Sequence, residues 1–404
     1  MPYKIFGCKV NKFYLNQWLN YYESQGINLD RILLIASCVV TDRAKHKWIK
    51  EIKDAIKKNY EIHLTGCGTL KQGKLIDEKE FYQLYPELTE FKEKIHLLPE
   101  APQKESQIFS SFEKNIYTKH FVVIQNGCDN YCSFCATVLK RGKHRSRDLQ
   151  EIIDEIKQIE LQWGKEIVLT GINLAAWGCE NTRNPHESKF SFLLHEILQK
   201  TSIPRIRISS IWPEYLDDQF FELATDERIL PHFHFSIQSF SDTVLQQMRR
   251  NYSAAHLAEI LKKIRSLKRP HAELISLGAD LITWFPWETE EDFEETLRGV
   301  EKFEITKLHA FPFSAHRLWE KIPATYFENQ ISESLKKERN RILIEKGEEI
   351  RTKFIEKNRG VEHSVLLEEY ENGCWKGWTE NYIQIEIPCP KWDHQKGEII
   401  SYTF

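Results

Sequence analysis

The chain has 404 residues, 41% apolar and 28% charged, enough for about two or three packed domains and too apolar for wholesale disorder. Its 56 basic residues against 59 acidic ones give a net charge of −3, which excludes a general polycation and leaves any nucleic-acid binding to local patches. The longest mainly apolar run, 32–40, is too short to span a bilayer, and the start lacks a secretory pattern, so a cytoplasmic location is expected.

In chain order, residues 3–7 read as a strand and 11–25 as a helix. Residues 31–36 form a second buried strand, after which Thr41 is placed to cap a helix. Ala44, Trp48, Ile52, Ala55 and Ile56 keep helical spacing in that helix, and 60–65 reads as a third strand. Strands alternating with helices imply a parallel sheet with right-handed crossovers. Each strand ends at a cysteine, Cys8, Cys38 and Cys67, separated by 30 and 29 residues. Strand carboxyl ends share one rim of such a sheet, so the repeat brings three thiols to one edge. Small buried core residues are the plain alternative. The chain has nine cysteines, an odd number that cannot pair completely, which favours metal or catalytic use in a reducing compartment.

Residues 99–119 are polar and proline-containing and read as a linker. Six apolar runs follow, at 120–125, 166–170, 205–209, 232–237, 279–285 and 307–313. Helical patterns separate most of them, with capping signals at Asp148 and Glu151 and at Thr289 and Asp292. Residues 333–357 form a charged helix, and 364–368, 382–387 and 399–404 read as short strands. The expected fold class is α/β: an N-terminal parallel βα domain, 1–98; a central open (β/α)6 partial TIM barrel, 119–358; and a small C-terminal β-barrel, 361–404.

Cys128, Cys132 and Cys135 form C-x3-C-x2-C after the first barrel strand. Structural zinc sites usually show paired C-x2-C knuckles with two further ligands, and no fourth ligand with that spacing follows here. Three thiolates on one loop suit a 4Fe–4S cluster with one iron left open to a small chelating molecule.

This triplet resembles that of the radical S-adenosylmethionine superfamily. The resemblance implies that the open iron binds S-adenosylmethionine and that one electron cleaves it to a 5′-deoxyadenosyl radical. Phe134 matches an aromatic position that commonly packs near the adenine. The three N-terminal cysteines, the barrel and the terminal β-domain together resemble the methylthiotransferases. Matching stretches include Gly7-Cys8-Lys9-Val10-Asn11, Leu169-Thr170-Gly171-Ile172-Asn173, Arg207-Ile208-Ser209-Ser210 and Gln238-Ser239. Met248 with Arg250 and Tyr252, and Phe285-Pro286 with Glu288-Thr289, match as well. The resemblance implies a second 4Fe–4S cluster on Cys8, Cys38 and Cys67 that supplies sulfur. It also implies cofactor contacts at Phe134, Gly171, Ser209, Gln238 and Arg250. One S-adenosylmethionine would methylate that sulfur, and a second would yield the radical that takes hydrogen from adenine C2. The Gly-Cys-Lys-Val-Asn string resembles the branch acting on threonylcarbamoyladenosine in transfer RNA. Two other branches act on isopentenyladenosine or on an aspartate of a ribosomal protein. No residue is singled out as catalytic beyond the cluster ligands.

Three positions depart from the family pattern: Trp284 and Trp287 replace glycines around Phe285-Pro286, and Phe240 replaces a glycine after Gln238-Ser239. Added aromatics at a barrel mouth are expected to reshape the pocket. A proline usually follows the triplet closely, whereas this chain reads Ala136-Thr137-Val138-Leu139.

The densest basic segment, 140–147, offers Arg141, Arg145 and Arg147 for phosphate, with a solvated loop as the plain reading. The tail interleaves aromatics with lysines, and Trp378 and Tyr382 are candidates for base stacking or for a small core. It resembles the family's TRAM RNA-binding domain, although it is short. His232 and His234 alternate on a strand and read as structural, and Cys179, Cys374 and Cys389 fit no spacing pattern. The expected partners are transfer RNA and a flavodoxin- or ferredoxin-like electron donor, with no membrane and a monomeric chain. The competing reading from another class is a zinc-stapled RNA-binding protein without catalysis.

Overall fold

The computed structural model describes residues 3–102, 116–315, 322–329 and 333–404, so most of the expected linker lies outside the described residues. The chain divides into two compact units. The first comprises Met1–Ile116, Gln125–Ser146 and Ser314–Tyr326, and the second Tyr117–Ile124, Arg147–Phe313 and Phe327–Phe404.

The first unit is built on a four-stranded parallel sheet in the order Tyr3–Ile5, Ile32–Ser37, Glu61–Gly66 and Ile95–Leu97. Side chains on a strand alternate between its faces, and the second strand shows both faces filled. Leu33 and Ile35 pack with Trp48, Ile49 and Ile52 of the helix Asp42–Lys57. Leu34 and Ala36 pack with Leu15, Trp18 and Leu19 of the helix Lys9–Ser24. A strand covered on both sides needs an unbroken apolar run, which is why Ile32–Ser37 shows no polar alternation. Thr41 caps its helix by accepting from the Ala44 amide at 3.1 Å. The fourth strand, Ile95–Leu97, was not expected from its short run.

In the second unit six parallel strands, the third in two segments, follow one another through two sheets. The first sheet holds His120–Val123, Glu166–Thr170 and Arg205–Ile208. The second runs from Ser210–Ile211 through His232–Gln238 and Ser276–Thr283 to Ile305–Pro312. The third barrel strand therefore breaks at Ser209 and serves both sheets. Phe233, Phe235 and Ile237 join the apolar core with Leu277, Ala279 and Leu281, leaving His232, His234 and Ser236 on the opposite, polar face. Thr289 and Asp292 form a reciprocal capping box at the helix Glu290–Lys302, and Asp148 caps Leu149–Leu161.

The tail is a four-stranded antiparallel sheet in the order Gln384–Pro388, Cys374–Thr379, Glu362–Glu371 and Ile399–Thr403. It has its own core of Val365, Leu367, Trp375, Ile383, Ile385 and Ile387, closed by Phe354 of the long helix Glu333–Lys357. The strand Cys374–Thr379 was missed in the sequence because its tryptophans and lysine read as contact residues.

Candidate functional site

In the first unit the three strand-end cysteines lie close enough to act on one another electrostatically. Cys8 is exposed just before the helix Lys9–Ser24, while Cys38 and Cys67 are buried. Polar side chains stitch the three strand ends together. Asn11 donates to the Phe6 and Ser37 carbonyls, both at 2.8 Å. Ser37 donates to the Thr65 carbonyl at 2.6 Å and accepts from the Gly68 amide at 3.0 Å. Trp48 donates to the Cys38 carbonyl at 3.0 Å. Burial pushes the Cys38 thiol up to about 12, and the neighbouring Cys67 and Cys8 add to the effect. Burial also raises Cys67, opposed by the positive charge of the Arg141 guanidinium.

The triplet loop belongs to the same unit. Gly127, with φ of +70°, turns the chain into it, and a Cβ there would lie 1.9 Å from the Lys143 carbonyl oxygen. The Cys128 amide donates to the Gly142 carbonyl at 3.1 Å, and the Cys135 amide to the Cys132 carbonyl at 3.1 Å. The Thr137 amide donates to Cys135 Sγ at 3.3 Å, and Cys128 Sγ lies 3.6 Å from Asn130 Oδ1. Cys128 and Cys132 are buried and Cys135 is half-buried. The Ala324 amide braces the loop through the Ser133 carbonyl at 2.9 Å.

The donor sets fit iron–sulfur clusters. Each trio supplies three thiols, mostly withdrawn from water, and the loop trio has a backbone amide directed at Cys135 Sγ, the outer-shell bonding that thiolate-held clusters use.

Four of the five expected cofactor contacts lie in the second unit, and Phe134 lies in the first. Gly171 follows the strand Glu166–Thr170, and the Ser209 amide donates to the Leu169 carbonyl at 3.0 Å. Gln238 ends its strand in the left-handed region, with φ of +70°. Gly171 and Gln238 thus mark the carboxyl ends of the second and fourth barrel strands, and Ser209 the break within the third. Arg250 is buried, with its guanidinium 3.7 Å from the Trp212 ring centre. It donates to the Ser236 carbonyl at 2.5 Å and to the Tyr252 hydroxyl at 3.0 Å. Neither carboxylate oxygen of Glu214 has a hydrogen-bond partner among the described residues, and burial pushes the group up to about 7 against the pull of Arg250.

The polar face of the strands carries a cluster that sequence reading missed. Asp280 lies 3.0 Å from His234 Nε2 and 3.2 Å from His309 Nδ1, and accepts from Ser210 at 3.1 Å. The two imidazoles hold its carboxyl below the usual range although burial works the other way. The available signal was the placement of His234, Asp280 and His309 on three adjacent strands.

Four of the five expected RNA contacts are turned to internal work. Arg141 is 1% exposed, so it is a buried charge and not a phosphate contact. Arg147 is half-buried and donates to Glu155 at 2.6 Å and to the Val123 carbonyl at 2.9 Å. Tyr382 stacks on His232 with ring centres 4.4 Å apart and on Trp378 at 4.5 Å, with Arg207 over its ring at 4.8 Å. Trp378 itself is half-buried, with Lys119 over its ring at 4.9 Å and its Nε1 donating to Glu368 at 2.9 Å. Beneath them Glu166 accepts from both Arg205 and Arg207 at 2.8 Å, and Arg205 reaches the Ser364 carbonyl at 3.0 Å. The tail sheet therefore covers the amino ends of the barrel strands, opposite Gly171, Ser209 and Gln238. Arg145 is exposed.

The aromatic departures also find places. Phe240 stacks on Phe303 at 5.9 Å against the space left by Gly299, so it fills the outer core. Trp284 and Trp287 keep positive φ, 57° and 77°, a conformation glycine adopts without strain. Arg339 caps the Trp284 ring at 3.6 Å and binds Glu288 at 3.0 Å, while Glu288 accepts from the Trp284 amide at 2.6 Å. That clamp holds the strained turn.

Residues 122–300 match the Radical SAM superfamily, and 1–85 match Uncharacterized protein family UPF0004. Threonylcarbamoyladenosine tRNA methylthiotransferase MtaB of Rickettsia prowazekii is 31% identical over 95% of this chain and 90% of its own. The protein of the same name from Aquifex aeolicus is 32% identical over 96% of both chains. A tRNA-2-methylthio-N(6)-dimethylallyladenosine synthase of Lawsonia intracellularis is 29% identical over 95% of this chain and 92% of its own.

Proposed function

The chain belongs to the radical S-adenosylmethionine methylthiotransferase family, and we propose that it adds a methylthio group at C2 of N6-threonylcarbamoyladenosine beside the anticodon of transfer RNA. It is an enzyme, and its family uses a 4Fe–4S cluster with S-adenosylmethionine. When bound, these supply the radical that activates the C2–H bond. Cys128, Cys132 and Cys135 hold the cluster in this reading, and Gly171, Ser209 and Gln238 are the cofactor contacts that the family resemblance implies. Arg250, locked on Trp212 and the Ser236 carbonyl, positions that rim.

The second cluster belongs to Cys8, Cys38 and Cys67 in the same reading, and the observation that carries it is three thiols from three strand ends within the field of one buried guanidinium. The domains are then 1–98 for the sulfur-supplying cluster, 119–358 for the radical core and 361–404 for a short TRAM-like module. RNA contact in the basic segment shifts to Arg145, since Arg141 and Arg147 are engaged inside. A flavodoxin- or ferredoxin-like protein supplies electrons to a monomeric cytoplasmic enzyme. No described helix is long and apolar enough to cross a membrane.

Nucleoside mass spectrometry of transfer RNA from cells with and without the gene tests the substrate. Loss of the methylthio form of threonylcarbamoyladenosine alone is the expected result. Loss of the isopentenyladenosine derivative, or of a methylthio group on ribosomal protein, would reassign the substrate.

A further inference from the structure

The helix Thr137–Arg141 begins two residues beyond Cys135 and ends in a buried guanidinium. Arg141 Nη1 is hydrogen-bonded to Glu100 Oε1, and Nη2 donates to Asn11 Oδ1 at 2.6 Å. Cys67 and Cys8 both lie within the field of that charge. Arg141 Nε has no hydrogen-bond partner among the described residues. Glu100 is itself fixed, because its second oxygen accepts from Asn126 at 2.6 Å.

The helix cannot drift from the strand-end cysteines. The Gln72 amide donates to the Leu139 carbonyl at 2.7 Å and the Gly73 amide to the Lys140 carbonyl at 2.8 Å. Backbone meets backbone there because Gly73 and Gly142 carry no side chain: a Cβ on Gly142 would lie 2.7 Å from the Gln72 backbone. One short segment thus carries the triplet at one end and reaches the other trio at its far end.

We propose that Arg141 is a positioning residue for the cluster held by Cys8, Cys38 and Cys67, setting a fixed positive charge beside the trio and raising that cluster's reduction potential. The inference rests on the reading that this trio holds a second cluster. Reduction adds negative charge to a thiolate-ligated cluster, so a fixed cation beside it favours the reduced state. Glu100 opposes that effect by neutralising part of the guanidinium charge. Removing Glu100 and removing Arg141 should therefore move the potential in opposite directions, which a purely structural role would not do.

The test is an EPR-monitored redox titration of the full chain reconstituted anaerobically with iron and sulfide. The signal of the Cys8, Cys38 and Cys67 cluster is assigned in a full-length variant carrying Cys128→Ala, Cys132→Ala and Cys135→Ala. Arg141→Gln should move that signal to a more negative midpoint, Arg141→Lys should restore part of the shift, and Glu100→Gln should move it to a more positive one. Two clusters with unchanged midpoints in Arg141→Gln and Glu100→Gln would overturn the inference and leave the two-cluster reading intact. If Arg141→Gln does not fold, an unshifted midpoint in Glu100→Gln overturns it alone. A wild-type chain with only the triplet's cluster would overturn the two-cluster reading, and the inference with it.

Discussion

Cys128, Cys132 and Cys135 lie within eight residues of one loop, whereas Cys8, Cys38 and Cys67 come from three strand ends about thirty residues apart. The loop trio is held by local backbone: a left-handed glycine, amide bonds between neighbours and an amide directed at a sulfur. The strand-end trio is held by the sheet, through Asn11, Ser37 and Thr65 bonding across strands. A local substitution should therefore disable one trio and spare the other. The two trios should fail separately, with different products lost.

Cys132→Ala gives the largest expected effect. With one of three loop thiolates gone, 5′-deoxyadenosine formation from S-adenosylmethionine should fall to background under strong reductant. Normal formation in that variant would remove the radical reading of the triplet. Cys38→Ala sharpens the contrast: cofactor cleavage should persist while methylthio product disappears, measured in the same assay on the same transfer RNA. Full product from Cys38→Ala would return Cys38 to the ordinary core.

Gly127→Ala probes the loop without touching a ligand. Left-handed strain and a Cβ driven against the Lys143 carbonyl should destabilise the loop by on the order of 4 kcal/mol. The triplet's iron should be lost first, with the strand-end trio's iron retained. Gly26→Ala, at φ of +62° with open space around its Cβ, is the matched control and should retain both. Equal iron loss in the two variants would contradict local control of the loop.

Tyr382→Ala moves to the second unit. Removing a ring stacked on His232 and Trp378 should lower stability by about 3 kcal/mol in urea unfolding. A variant of unchanged stability with weakened RNA affinity would restore Tyr382 as a contact residue.

Glu214 gives the smallest effect, with a definite sign. Its carboxyl sits at about 7 in the folded chain against an ordinary value of 4.5, so the folded state keeps a proton that the unfolded state has lost. The stability it contributes is present below about pH 4.5 and is lost as pH rises through 7. Glu214→Gln should flatten that fall, by about 1 kcal/mol per pH unit within the window. Identical pH curves for the two proteins would show that burial does not hold the proton there.

The sequence was most readable where chemistry is local. The loop triplet follows from spacing alone, and the strand-end trio from a repeat period that matches one βα unit. The six barrel strands were legible because buried parallel strands need continuous apolar runs, and the helix Glu333–Lys357 matched its pattern throughout. Charge was harder to place. Arg141, Arg145 and Arg147 look alike in a basic run, yet only the fold turns Arg141 inward to Glu100 and Asn11. Glu100 lay in what read as a linker, and nothing local marks it. Trp378 and Tyr382 have the composition of a stacking surface, and it took their placement at the amino ends of the barrel strands to show what they stack on. Asp280 and its two histidines come from three strands, so no single stretch displays them.

The most direct test of the two-trio account is Mössbauer spectroscopy with iron and sulfide quantitation on the anaerobically reconstituted chain, the Cys38→Ala variant and the Cys132→Ala variant. Two independently held 4Fe–4S clusters predict about eight irons in the intact chain and about four in each variant, with different residual spectra in the two. About four irons in the intact chain, with Cys38→Ala unchanged from it, would contradict the account.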